Sequence, residues 1–370
     1  MKTLKFRIYD RHKDQLVKIA SAVNYVWNYV NDLGCRWLDR HHKFMSAYDC
    51  HEYTKGAGDE LGLHSQTLQV IAETHSKSRK QFKKRKLKWR SNNPKSRCKS
   101  LGWIPFKRPA IKHVRTYQVG KGRNARHKTV LQFSCGKGNP PLLITVFDQY
   151  DLSLYKINTC ELVQDSRGRW YACITVKDFP KSKCGTGSVG LDLGCKTAVT
   201  CSNGNKLETK FTHKYAEKLA KAQRANKKNL VRSIHAKIKN SRLDAIHKFT
   251  TNLVKHNAFI ALGKLNSSNF TSTNLAKSVY DASWFELKRQ LEYKCEYAGC
   301  LLEEVDEKYT TQTCSHCLNI SSNSPKGRAG LGIREWTCSH CGTTHDRDVN
   351  GAKNILRLGC QTLVAGSPLL

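Results

Sequence analysis

The chain has 370 residues, 39% hydrophobic and 25% charged, with 64 Lys and Arg against 29 Asp and Glu and a formal net charge of +35. The length points to two or three domains, and the apolar share excludes a wholly disordered chain. Such one-signed charge fits a long polyanion held along a groove, hence nucleic acid. A basic membrane-surface protein is the weaker alternative, because no single amphipathic helix carries the charge.

The first residues show no apolar leader core, and no apolar run is long enough to span a bilayer. A cytoplasmic protein without membrane contact is expected. The 16 cysteines are then expected as thiols rather than disulfides. Most of them, Cys35, Cys50 and Cys98 included, are scattered singly.

In chain order, residues 3–9 alternate as a strand. From His12 to about Trp37 apolar residues recur at three- and four-residue steps, which predicts a helix. A polar loop follows at 55–62. A second helix is expected from Ser65 to Arg90, ending in a one-signed face that includes Lys80, Lys83, Lys84 and Arg85. A run of this kind is either a solvated face or a set of phosphate contacts, and the lack of balancing acids favours phosphate. Residues 91–101 read as a linker. Short strands are expected at Val130–Phe133, Leu142–Phe147, Tyr155–Leu162 and Trp170–Val176, with a hairpin turn at Asp165–Arg169. They suggest a small β-barrel, its first strand supplied by residues 3–9.

A second linker, 180–187, leads to Val189-Gly-Leu-Asp-Leu-Gly194. Strands continue to about Leu207, and a basic helical stretch runs from Lys214 to His256. Then come the apolar strand Phe259–Leu262, a helix from Ala282 to Gly299, strand Leu301–Val305, a cysteine-rich region at 314–341 and a last helix near Asp348. Strands alternating with helices over 188–356 imply an α/β layer fold.

Cys314-x-x-Cys317 and Cys338-x-x-Cys341 are two knuckles separated by twenty residues. This spacing places four thiolates around one ion, and without a redox motif Zn2+ fits better than iron. His316 and His340 lie inside the knuckles as lesser candidate ligands. Asp192 sits in an apolar strand flanked by glycines, and a lone buried acid calls for a cation or hydrogen bonds. Asp348 opens the last helix. Two inward acids on separate elements suit a Mg2+ phosphodiesterase centre, although each has a structural alternative, such as a helix cap for Asp348.

The string Asp306-Glu-Lys-Tyr-Thr-Thr-Gln-Thr-Cys314, both knuckles, and His345-Asp-Arg-Asp-Val-Asn350 resemble TnpB, the transposon-encoded relative of type V CRISPR effectors. Gly190–Gly194, Arg242–Thr251 and Asp281–Lys294 match as well. The resemblance implies a multidomain α/β protein. Its RuvC-like (RNase H-type) nuclease domain, 186–310 and 343–370, would be split by a zinc ribbon at 311–342. A wedge β-barrel would span 1–10 and 102–180, and a helical recognition domain 11–101. The implied function is an RNA-guided DNA endonuclease. It would take a guide RNA from the transposon end, read a short flanking motif in duplex DNA, and cut with Mg2+.

Asp192 and Asp348 match the family's first and third catalytic acids. Where the family usually has its second, a glutamate, this chain has Gly263, followed by Lys264. The acid has either moved, with Glu307 after strand Leu301–Val305 as its new bearer, or the site is dead. A dead site would make the protein an RNA-guided DNA binder or repressor. Glu286 and Glu304 are poorer candidates, and Glu307 could also be an exposed turn residue. Direct transposase chemistry lacks a matching motif. Gln69 and then Gln66 resemble the stretch that meets the flanking motif, since Gln can pair with adenine, yet both could be plain helix surface. Tyr53 and Trp103 could stack on bases or pack. Lys218–Lys239 are expected along the guide–target backbone.

Overall fold

The computed structural model describes residues 1–120, 125–177, 182–194, 197–208, 211–264, 283–327 and 329–366. The linker expected at 180–187 and the helix start expected at Ala282 fall partly or wholly outside the described residues. The chain forms two compact units, Met1–Pro180 and Lys181–Leu370. No described helix is long and apolar enough to cross a membrane.

The first unit is built on an antiparallel sheet of β1 (Lys2–Ile8), β2 (Trp103–Lys107), β3 (Ile111–Val119), β4 (Arg126–Phe133), β5 (Leu142–Asp148), β6 (Ile157–Gln164) and β7 (Trp170–Val176), in the order β2-β6-β7-β1-β5-β4-β3. The N-terminal strand is therefore central, paired with β7 on one side and β5 on the other. Its alternation puts Leu4, Phe6 and Ile8 into the core. Strands β2 and β3 have no counterpart among the sequence-predicted elements. β2 holds a proline, and β3 is exposed along most of its length, so neither shows a clean alternation.

Helices α1 (Lys13–His41) and α4 (Ser65–Phe82) supply the helical part, with the short α2 (Ala47–Thr54) and α3 (Ala57–Leu61) between them. The stretch expected as a loop at 55–62 is thus mostly helix. α4 also ends earlier than the sequence suggests. Lys83 adopts a left-handed backbone, φ 49°, and the chain runs on without helix. The reason lies on α1. Asn31 donates to the Leu87 carbonyl (2.8 Å) and accepts from the Leu87 N–H (3.0 Å). Asn28 does the same for Arg90 (2.8 and 2.9 Å), and the Trp27 indole donates to the Lys88 carbonyl (3.3 Å). Carboxamides one helical turn apart stand in for a neighbouring strand, so the backbone groups of Leu87 and Arg90 are satisfied without a helix. Lys83, Lys84 and Arg85 are exposed on this non-helical segment rather than on a helix face, whereas Lys80 lies in the last turn of α4.

Among the described residues the second unit has a five-stranded sheet of β8 (Gly187–Leu193), β9 (Thr197–Cys201), β10 (Lys206–Glu208), β11 (Asn257–Gly263) and β12 (Leu301–Val305), in the order β10-β9-β8-β11-β12. The first three pair antiparallel, and β8, β11 and β12 run parallel. On one face lie α6 (Lys228–His256) and α7 (Trp284–Ala298), over Val189, Leu191, Ile260 and Leu262. On the other face lies α8 (Arg347–Gly366), whose Ile355 packs on Phe259, Ala261 and Val305. The basic stretch is not one helix: α5 (Ala216–Arg224) ends before Asn226, which is left-handed with φ 50°, and α6 comes after it. A small hairpin, β13 (Glu335–Thr337) and β14 (Thr344–Asp346), completes the unit.

Asn31 is fully buried and holds both polar groups of Leu87. Asn31→Ala should destabilise the first unit by about 1–3 kcal/mol, because both backbone groups lose their partner. Thermal melting checks this, and an unchanged melting temperature would contradict the clamp.

Candidate acidic centre and cysteine cluster

Period-two alternation decides which side chains of the second sheet meet α8. Val189 and Leu191 face α6 and α7, so Gly190 and Asp192 face α8. In the same way Ile260 and Leu262 point one way, and Phe259, Ala261 and Gly263 the other. α8 comes very close: a Cβ on Gly190 would lie 2.0 Å from the Ala352 carbonyl oxygen. That contact requires glycine. It brings the first turns of α8 beside Asp192, whose Oδ2 lies 3.4 Å from where a Cβ on Gly351 would stand.

β8 and β11 pair Gly190 with Ala261 and Leu191 with Leu262, and the next step of that register sets Gly263 beside Asp192. The space a side chain at 263 would fill is already taken. A Cβ there would be 2.1 Å from Glu307 Oε1 and 2.8 Å from its Cδ. Glu307 comes just after β12 and reaches across onto the α8 face. Its Oε1 is buried with no hydrogen-bond partner among the described residues. Burial, then the nearby Asp306, pushes its carboxyl up to about 7. The Asp192 carboxyl is also pushed well up, by burial first and then by Glu307 and Asp348. Asp192 therefore senses the charges of both Glu307 and Asp348.

Asp348 is held differently. Its carboxylate accepts from Arg334 (3.0 Å) and pairs with Arg347 (3.1 Å). It is not the helix cap. Asp346 caps α8, its Oδ1 accepting from the N–H groups of Asp348 and Val349 at 3.0 Å. Neither Glu286 nor Glu304 reaches this cluster. Glu304 shares the face of its register partner Leu262 and pairs with Lys288 on the opposite helical layer. Glu286 is held by Arg289 at 2.7 Å.

Cys314, Cys317, Cys338 and Cys341 bring their sulfurs within 4.8 Å of one another. Among the described residues no other group of three or more His, Cys, Asp and Glu gathers ligand atoms so closely, Asp192, Glu307 and Asp348 included. Four soft sulfurs at this spacing are compatible with a structural zinc ion. His316 and His340 are exposed. The buried histidine at the cluster is His345, with Nε2 3.0 Å from Cys314 Sγ and its ring 5.1 Å from that of Trp336, its partner in the hairpin. Only the strand register of β13 and β14 reveals it, and three-residue strands carry little pattern.

In the first unit, Gln69 and Ser65 line a cavity of about 370 Å³ with Tyr48, His51 and Asp59. Gln66 lies one turn earlier, with a buried Oε1 that no described group bonds. Tyr53 is exposed, whereas Trp103 packs edge-on against Trp27 with the Arg90 guanidinium over its ring. Lys83 and Lys84 have exposed side chains, and Arg85 pairs with Asp39 at 2.8 Å.

Two family models match the chain: the "Cas12f1-like, TNB domain" over residues 284–355 and the "Probable transposase" family over 171–273. A "Putative RNA-guided DNA endonuclease" of Streptomyces pristinaespiralis is 35% identical over 56% of this chain and 54% of its own length. The "Putative RNA-guided DNA endonuclease InsQ" of Escherichia coli K12 is 29% identical over 55% of this chain and 57% of its own. The matches thus span about half the length of these relatives. A solved structure titled "Cryo-EM structure of the Cas12f1-sgRNA-target DNA complex" aligns with TM-score 0.59 at 14% identity, covering 94% of this chain and 83% of that one. At that identity it is the fold that is shared.

The raised Glu307 carboxyl has a signed consequence. A group whose folded pKa lies above its unfolded one contributes stability below the unfolded value, and that contribution is lost as pH rises through about 7. In magnesium-free protein, Glu307→Gln should match the wild type in melting temperature near pH 4 and exceed it by a few degrees near pH 8. A pH-independent difference would contradict the buried, unpaired carboxylate.

Proposed function

The chain is a TnpB-family protein, and on that premise we propose that it is an RNA-guided DNA endonuclease whose second catalytic acid is Glu307. The observation that carries this reading is the occupancy of Gly263. The volume in which the family's glutamate would project contains the Glu307 carboxylate instead. The chain lacks the residue and keeps the carboxylate.

Asp192, Glu307 and Asp348 would hold the catalytic divalent metal. Their fit rests on hard oxygen donors, on mutual repulsion at Asp192, and on a buried Glu307 oxygen without a partner. When bound, Mg2+ activates water and stabilises the leaving oxygen. Arg334 and Arg347 pair with Asp348. The four cysteines would hold structural Zn2+. The domain scheme is the family's: the first unit as wedge and recognition parts, the second as a RuvC-like domain carrying the ribbon. A guide RNA and a target duplex with a flanking motif are the partners. Gln69 and Gln66 would read the motif, and Lys80, Lys83, Lys84 and Arg85 would contact phosphates.

The test is a residue swap. Protein purified with its RNA should cut a matching duplex in Mg2+ and leave it whole in EDTA. Glu307→Ala should abolish cutting, as loss of a metal-holding acid does. Gly263→Glu alone should also lose activity, because the two side chains compete for one space. Gly263→Glu with Glu307→Ala should restore cutting. Undiminished cutting by Glu307→Ala would sink the assignment. Guide-dependent binding without cutting by the wild type would favour the nuclease-inactive reading.

A further inference from the structure

His345 lies between the two metal-binding regions and takes no part in the chemistry proposed for either. It is 6% exposed. Its Nε2 is 3.0 Å from the sulfur of Cys314, a cysteine with no exposure at all. It touches one sulfur but does not join the set of four that lie mutually within 4.8 Å. It is therefore placed beside the ligand sphere rather than in it.

The chemistry of that contact depends on the zinc reading, on which this inference rests. A cysteine bound to zinc is a thiolate and has no proton to give. The proton shared across the contact must then be on the ring, so the imidazole is the donor and the sulfur the acceptor. Four thiolates around a divalent ion leave a net dianion, and a buried dianion needs donors. Cys341 has such a donor in the Thr343 hydroxyl, at 3.3 Å. Cys314, more deeply buried, has His345.

The neighbours of His345 in the chain give the contact its reach. Asp346, the next residue, caps α8, and Asp348 is two residues further on. On the other side, α8 grips the approach to the first knuckle. Asn350 accepts from the Ser315 N–H (2.8 Å) and donates to the Thr313 carbonyl (2.8 Å), and Asn354 donates to the carbonyls of Thr310 (2.9 Å) and Thr313 (2.7 Å). Cys314 is thus tied to α8 from two directions.

We propose that His345 is a positioning residue: its Nε2–H donates to the Cys314 thiolate of the zinc-loaded ribbon and fixes the start of the helix that carries Asp348.

The experiment uses the full chain as purified, with its zinc. His345→Ala should release zinc to a colorimetric chelator about 10- to 100-fold faster than the wild type, the usual effect of losing a donor to a metal ligand. In cobalt-substituted protein the thiolate-to-cobalt charge-transfer bands should keep four-sulfur character and shift in His345→Ala. They should return towards wild type in His345→Gln, whose amide N–H can reach the same sulfur. Wild-type release rates and unmoved bands in His345→Ala overturn the proposal. So does a folded His345→Gln that loses zinc as fast as the alanine variant, which keeps the test decisive should the alanine variant fail to fold. A wild-type cobalt spectrum of three sulfurs and one nitrogen overturns it too, by making the ring a ligand. Wild-type protein that holds no zinc overturns the ribbon reading and this inference together, whereas the other failures leave that reading standing.

Discussion

The acidic centre depends on one steric contact, the approach of α8 to β8 at Gly190. A helix usually sits on a sheet with a layer of side chains between them. Here the Ala352 carbonyl stands where a Cβ on residue 190 would be, so the helix backbone rests almost on the strand. Two further small contacts extend the approach: Gly351 beside Asp192, and Gly359 against Ala261. Because α8 is this close, its first turn and Asp192 form one site. Any residue larger than glycine at 190 would lift the helix and carry Asp348 away. The glycines around Asp192 thus bring the helix near, not merely the backbone of a ligand.

The ribbon is an insertion between the two ends of that site. Glu307 stands on the strand side of it and Asp348 on the helix side. Asn350 and Asn354 reach back from α8 to residues 310–315 and close the loop at its base. Arg334, at the entry to β13, returns to Asp348. The ribbon is therefore tied to the acidic centre at its entrance, through those asparagines, and at its exit, through Arg334 and the Asp346 cap. A metal held by the knuckles would also order the segments carrying Glu307 and Asp348.

Much of this was legible in the sequence. Strands β8 and β11 of the second unit carry short apolar runs that read as strands, and β11 is buried along nearly its whole length. The cysteine spacing is a local constraint, and the structure gathers those four sulfurs. Glu307, just past β12, has its carboxylate at Gly263, whereas Glu304 and Glu286 pair with Lys288 and Arg289. Non-local effects were the ones that failed to show. The end of α4 at Phe82 is set by Asn28 and Asn31, some fifty to sixty residues earlier, and helix propensity in a lysine-rich run gives no hint of them. The role of Asp346 as the cap, which frees Asp348 from that duty, and the contact of His345 with Cys314 depend on the register of a hairpin only three residues long on each side.

On the proposed reading, the constraint is on a volume beside Asp192 that would contain one carboxylate, and either of two adjacent strands could supply it. β11 offers residue 263 from directly beneath, while β12 must send its acid up from two residues past its end. Both cannot do so at once, since the two side chains would overlap. The exchange also has an electrostatic consequence. An acid delivered from β12 arrives next to Asp306, whose charge adds to burial in raising the Glu307 carboxyl. Glu307 therefore binds its proton more tightly than burial alone would make it. On the proposed reading a divalent ion would displace that proton, so the cost of holding a metal here would fall as pH rises towards and past 7.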